Sequence, residues 1–304
     1  MNKLIPFFLF LVCTNVLLSQ SSDIKVNQPP AVKVFQTFKD TRVINTHATE
    51  MLPKGKLDFR IGHRFGDAGG ALGGWNNFYG LENASDVLIG FEYGLNDNVM
   101  IGINRTKGSS ELRQNINTLV KIRLMHQEYD GNKPFSLALL GVTSTSTMPG
   151  SDFPGSLSFF TKKAHRMSYH LSVILSKKIS NYFSLQVNGS WTYRNLVPLF
   201  IDPPSDTNDL ASVGLAGKVQ LTKAFGIVLD YTVPISGLRT PSNGYYHPFG
   251  FGLEWETGGG HVFQMNFTNS TGLSETDYIP YTTSNWFDGE FRWGFTISRQ
   301  FTVR

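Results

Sequence analysis

The sequence offers almost no sulfur chemistry: Cys13 is the single cysteine in 304 residues. Cys13 lies in an N-terminal stretch with the features of a cleaved leader, so the mature chain has neither a disulfide nor a thiol nucleophile. The usual cysteine-based zinc and iron–sulfur sites are excluded with it, and no cofactor is implied. Charge is also scarce, at 16% of residues with a formal net charge of +4. Lys and Arg are scattered among acids rather than gathered on a stripe, which argues against nucleic acid as a partner. Past the first twenty residues, no apolar run approaches the roughly twenty residues that a membrane-spanning helix needs. Any crossing of a bilayer must therefore use strands. What the chain does have is aromatic side chains, at 13%, and 30 glycines.

Residues 1–20, MNKLIPFFLFLVCTNVLLSQ, place Lys3 ahead of a short apolar run and end on Ser19 and Gln20. This order reads as a secretory signal peptide cleaved near Gln20. Lipidation at Cys13 is the weaker reading, because Phe10, Leu11 and Val12 replace the small residues expected before a lipidated cysteine. Residues 21–55 follow as an N-terminal periplasmic segment or plug, and residues 56–304 as a transmembrane β-barrel.

The barrel reading rests on period-two alternation. In YFSLQVNGSWTY (182–193), Phe183, Leu185, Val187, Trp191 and Tyr193 share one face, and Ser184, Gln186, Asn188, Ser190 and Thr192 the other. Alternation of this kind marks a strand between two different environments. About twelve such segments run from 56 to 301, beginning with KLDFRIGHRF (56–65) and ending with GEFRWGFTISRQF (289–301). In the fourth, Leu112, Ile116, Val120, Ile122 and Leu124 are expected to face outward. The connections after even-numbered strands are short, and most after odd-numbered strands are long. Only the third loop, 107–111, breaks this rule. Short periplasmic turns alternating with long external loops are the pattern of an outer-membrane barrel.

The competing reading is a soluble secreted sandwich or lipocalin-like barrel, whose apolar side chains would point inward. The polar faces argue against it. They carry Asp58, Arg60, Arg64, Glu92, Arg113, Lys121, Arg123, Lys218, Asp230, Glu254, Glu256, Glu290 and Arg292. So many charges suit a wet or internally paired lumen, not a dry core. The fold expected is all-β: a closed antiparallel up-and-down transmembrane barrel in the outer membrane of a Gram-negative bacterium.

Two stretches, QTFKDTRVINTHATEMLPKGKLDFRIGHRFGDAGG (36–70) and LENASDVLIGFEYGLNDNVMIGI (81–103), resemble an uncharacterised β-barrel family of the Bacteroidota. The likeness is strongest over 36–103, and beyond it mainly the strand rhythm persists. The resemblance implies an outer-membrane barrel without an assigned activity and lends no catalytic residues. The chain ends Phe301-Thr302-Val303-Arg304, a departure from the terminal aromatic that barrel-assembly machinery commonly reads.

Several candidate sites follow. Arg60, Arg64, Arg113, Lys121, Arg123 and Arg292 could line a basic track for anions, since charged rings set selectivity in pores. The near balance of signs favours pairing with Asp58, Glu92, Asp230, Glu254, Glu256 and Glu290 instead. In the 21–55 segment, Lys39, Asp40 and Arg42 could pair with lumen charges if the segment enters the barrel; otherwise it is a periplasmic tail. His170 and Ser172 share a strand face, and a short turn brings Asn188 towards them, the parts of a nucleophilic hydrolase. They lie on the polar face, however, not at the lipid surface where a lipid hydrolase needs its nucleophile. In the last loop, Tyr278, Tyr281 and Trp286 are expected to be exposed, as partner contacts or as part of an interfacial belt. The function expected is a passive small-solute channel or structural barrel with a mixed-charge lumen and outer-membrane lipid around it. The alternatives are a plugged barrel that binds through its external loops and, less favoured, a lipid hydrolase.

Overall fold

The computed structural model describes residues 31–198 and 206–303. The leader-like residues 1–20 lie outside the described residues. Twelve strands form a single sheet: β1 (Lys56–Asp67), β2 (Asp86–Asn96), β3 (Val99–Lys107), β4 (Gln114–Met125), β5 (Ser136–Ser146) and β6 (Met167–Lys178) make the first half. The second half is β7 (Phe183–Arg194), β8 (Asp209–Gln220), β9 (Phe225–Ile235), β10 (Phe249–Thr257), β11 (His261–Thr268) and β12 (Arg292–Thr302). Each strand pairs antiparallel with its neighbour in sequence, and β1 closes on β12, with Ile61 opposite Ile297. Closure leaves no sheet edge, which is what allows a sheet to stand in hydrocarbon.

The alternation read from the sequence sets which face is which. On β7, Phe183, Leu185, Val187 and Trp191 are exposed, whereas Ser184, Gln186, Asn188 and Thr192 are buried inside. Lys121 and Glu254 are completely enclosed. Apolar outside and charged inside is the inverse of a soluble barrel, so the lipocalin-like alternative fails. Aromatic rings gather in two belts on the outer surface. Phe225, Trp255 and Phe263 stack near the short turns, and Phe251, Phe267 and Trp293 near the long loops. Two girdles of this kind mark the two membrane–water interfaces.

The turns follow from local chemistry. Between β2 and β3, the Asn96 side chain accepts from the Asn98 amide at 2.8 Å, an Asx turn that reverses the chain. Between β10 and β11, Gly260 adopts φ +78°, a conformation that side chains disfavour. Strand β4 begins two residues later than the apolar pattern suggested. Leu112 therefore belongs to the preceding loop and is buried there, not facing lipid. The interior is not empty. Residues 37–49, buried throughout, and a short helix, α1 (Glu275–Tyr281), lie within the enclosed space.

Candidate functional site

Residues 34–52 form a hairpin inside the barrel. Its base is tied to the β4–β5 turn, where the Val34 amide donates to the Gln127 carbonyl at 2.8 Å. Its tip is the turn at 43–46, closed by Val43 N–H donating to Thr46 O at 2.8 Å, with Arg42 bridged to His47. The returning limb leaves at Gly55, whose amide donates to Gly94 O at 2.9 Å. The close approach there requires glycine at 94, because a Cβ would overlap the carbonyl oxygens of Leu52 and Pro53.

Polar groups of the wall hold this hairpin along its length. Arg60 of β1 grips Asp40 with two hydrogen bonds, at 2.5 and 2.7 Å. Glu92 of β2 accepts from Thr41 Oγ1 at 2.8 Å and lies 3.8 Å from Arg42 Nε. Lys121 of β4 donates to the carbonyls of Thr41 and Ala48 at 3.2 and 3.0 Å. At the tip, Asp230 of β9 accepts from the Asn45 amide at 2.5 Å and its side chain at 2.7 Å. Gln186 and Gln264 donate to the carbonyls of His47 and Arg42. Near the base, Lys39 reaches Glu256 at 3.2 Å. A smaller apolar contact joins Phe38, Val43, Ile44 and Ala48 to Ala216 and Val228 on β8 and β9. Most of the buried ions that hold the hairpin meet an opposite charge or several dipoles, which is what makes their enclosure tolerable.

Helix α1 comes from the opposite end, as part of the long connection between β11 and β12. Ser144 of β5 is 2.6 Å from Thr276, while Tyr278 and Ile279 pack on Leu210 of β8. Arg64 of β1 links both inserts: it donates to the Ser270 carbonyl at 3.1 Å and to the Asn45 side chain. The inserts meet where His47 Nε2 lies 3.6 Å from Glu275 Oε1, both buried. Burial, then Arg42 and Lys121, holds the imidazole well below its ordinary pKa; burial pushes the Glu275 carboxyl up. Above this level, Asp206 bridges Arg194 and Arg239, at 2.7 and 2.8 Å.

Several residues singled out in the sequence lie elsewhere than expected. Arg113 is an exposed loop residue outside the lumen, because β4 starts at Gln114. Glu290 also precedes its strand and accepts from the Asn285 amide at 2.7 Å. Arg123 sits at the short-turn mouth, bonded to the Asp97 carbonyl, and Arg292 at the opposite rim, bonded to the Asn269 carbonyl. Asp58 pairs with Arg60, and Lys218 lies 3.8 Å from Glu254. His170 and Ser172 are both buried, but Asn188 is not beside either. The register sets His170 against Thr192, Ser172 against Ser190 and Asn188 against Ile174. His170 is bonded to Thr192, and Asn188 donates to Thr46 of the hairpin at 2.5 Å. Tyr278 and Tyr281 are buried in α1, not exposed, because the loop folds inward. Sequence reasoning missed α1 and the triad around Asp206. One signal was present: Leu140, Val142 and Ile174 make β5 and β6 apolar on the inner face too. An apolar inner face needs something other than water against it.

Together the closed sheet, the inverted polarity and the paired aromatic belts define a membrane β-barrel of the outer-membrane type. Residues 38–301 match the family model described as "Membrane bound beta barrel domain (DUF5777)", and the chain belongs to that family. No curated protein matches the sequence. Among solved structures, the barrel is similar to an outer membrane channel from Pseudomonas putida F1 (13% identity, TM-score 0.48, covering 83% of this chain and 98% of that one). It is also similar to the NanC porin (9% identity, TM-score 0.47, 82% and 99%). The KdgM porin, solved with a disordered oligogalacturonate, is similar at 6% identity and a TM-score of 0.46, over 82% and 99% of the two chains.

Proposed function

We propose that this protein is a conditional solute channel of the outer membrane, closed in the state seen here by the 34–52 hairpin, which meets α1 inside the lumen. The observation that carries this reading is the meeting of two separate chain segments inside the lumen, at His47 and Glu275. Neither belongs to the wall, and both are held mainly by polar contacts. Polar contacts exchange with water at little net cost, so either insert can leave without unfolding the barrel. In this reading residues 1–20 are the export signal, the hairpin is the plug, and barrel-assembly machinery and lipid are the partners. The lumen residues serve as plug-holders and, once the plug has left, as a mixed-charge lining. No catalytic role is proposed for His170, Ser172 or Asn188: His170 is bonded to Thr192, Asn188 donates to Thr46, and Ser172 faces Ser190 rather than either of them.

The test is single-channel conductance in planar bilayers, comparing the full mature chain with a deletion of residues 32–52. The reading expects silence or rare openings from the first and steady current from the second. Steady current from the intact chain contradicts the plug. Silence from both, with folded barrels, contradicts the channel and moves attention to the external loops.

A further inference from the structure

The lipid-facing surface carries a charge pattern that the channel reading does not use. On β3, Arg105 and Lys107 point outward near the long-loop rim, and both are exposed. Arg105 lies between two outward isoleucines, Ile89 on β2 and Ile116 on β4, with Ile103 below it. Lys107 stands beside Val87. Among the described residues, neither has an acidic partner within 4.0 Å. The guanidinium has, among the described residues, one hydrogen bond, a long one of 3.4 Å to Thr147 Oγ1. The nearest carboxylate in the pairing, Asp86, is turned inward and occupied by Ser109 and the Ser110 amide. The two cations flank a groove of about 620 Å³ whose floor is Val87 and Ile89.

Near the membrane–water interface a cation among apolar side chains is tolerated, and it attracts the anionic groups of lipid there. The groove supplies both halves of a lipid's chemistry: an apolar floor for an acyl chain and, at headgroup depth, paired donors for a phosphate. The guanidinium fork suits bidentate phosphate contact, and the ammonium adds a point charge. We propose that this groove is a docking site for a phosphorylated glycolipid of the outer leaflet, its phosphate held by Arg105 and Lys107 and an acyl chain laid on Val87 and Ile89.

The experiment is native mass spectrometry of the full mature protein in detergent with diphosphorylated lipid A, dephosphorylated lipid A or phosphatidylethanolamine. Folding of each variant is verified by heat-modifiable gel migration. Diphosphorylated lipid A should stay bound to the unaltered protein. It should stay equally bound to Arg299→Gln, which removes an outward cation at the other rim, over the Phe301 ring. In Arg105→Gln/Lys107→Gln, binding should weaken roughly thirtyfold, the expected effect of two basic side chains at an anionic surface. The charge-keeping swap Arg105→Lys/Lys107→Arg should retain most of the binding. Equal retention by the double glutamine variant overturns the proposal. So does equal binding of dephosphorylated lipid A, or displacement of the lipid by millimolar inorganic phosphate alone, which would mark a free-anion site.

Discussion

Removing one carboxylate from the hairpin should open the barrel without unfolding it. Asp40 accepts two hydrogen bonds from Arg60 at 2.5 and 2.7 Å, and both side chains are buried. Breaking a buried pair by deleting one partner costs about 3–5 kcal/mol, because the other charge is left uncompensated. In Asp40→Ala, Arg60 keeps Asp58 at 3.1 Å and Glu92 at 4.0 Å, so the low end applies. About 3 kcal/mol corresponds to roughly a hundredfold shift in the ratio of withdrawn to inserted hairpin. The strands do not use Asp40, so the barrel itself should remain intact on heat-modifiable gels. Two assays read the shift: trypsin cleavage after Lys39 or Arg42, and open probability in planar bilayers. Both should rise by about two orders of magnitude. The double variant Asp40→Ala/Arg60→Met should return much of the protection, since no buried charge is then orphaned. If Asp40→Ala stays as protected and as silent as the unaltered protein, the pair does not hold the hairpin and the reasoning fails.

Three other outcomes follow from the geometry. Gly94→Ala should push the exit of the hairpin away from β2, at a cost of about 1–3 kcal/mol for overpacking, and raise trypsin sensitivity at Lys39 while strand content by circular dichroism is unchanged. Ser144→Ala should loosen α1 by about 1 kcal/mol through loss of the Thr276 contact, seen as faster hydrogen exchange of α1 amides with the barrel amides unaffected. In the external triad, burial alone would raise the pKa of Asp206, but hydrogen bonds from Arg194 and Arg239 outweigh it and hold the carboxyl at about 2, below its ordinary 3.8. Its contribution is therefore complete above pH 3.8 and is lost as pH falls towards 2. The gap in thermal midpoint between unaltered protein and Asp206→Asn should be constant from neutral pH to about 5 and close by about pH 2.

The wall was legible in the sequence because a barrel strand writes its environment every second residue. Phe183, Leu185 and Val187 against Ser184, Gln186 and Asn188 fix inside and outside without further information. The ends of strands were less legible: β4 and β12 begin at Gln114 and Arg292, so Arg113 and Glu290 drop out of the lumen. The pattern carries parity but not the residue at which pairing stops. The inserts were the least legible part. The sequence TDYIPY at 276–281 has the aromatics of an exposed loop, and only the inward position of α1 reveals that Tyr278 and Tyr281 are buried. No local rule distinguishes a loop that folds inward from one that stands in water. The Ser172–Asn188 idea failed on register, since a two-residue offset across β6 and β7 separates groups that a loop count alone cannot align.

In the proposed reading, the hairpin inside the lumen is what closes the barrel. Thr49 of the hairpin touches Ser176 of β6 through their hydroxyl oxygens, so cysteines at both positions are placed to form a disulfide. The decisive measurement is the bilayer current of Asp40→Ala/Thr49→Cys/Ser176→Cys, in a mature chain lacking Cys13, before and after reduction. The channel should be silent while the bridge is intact and pass steady current once it is reduced, reversing on reoxidation. Equal current in both states, with the cross-link verified by mass, would contradict it.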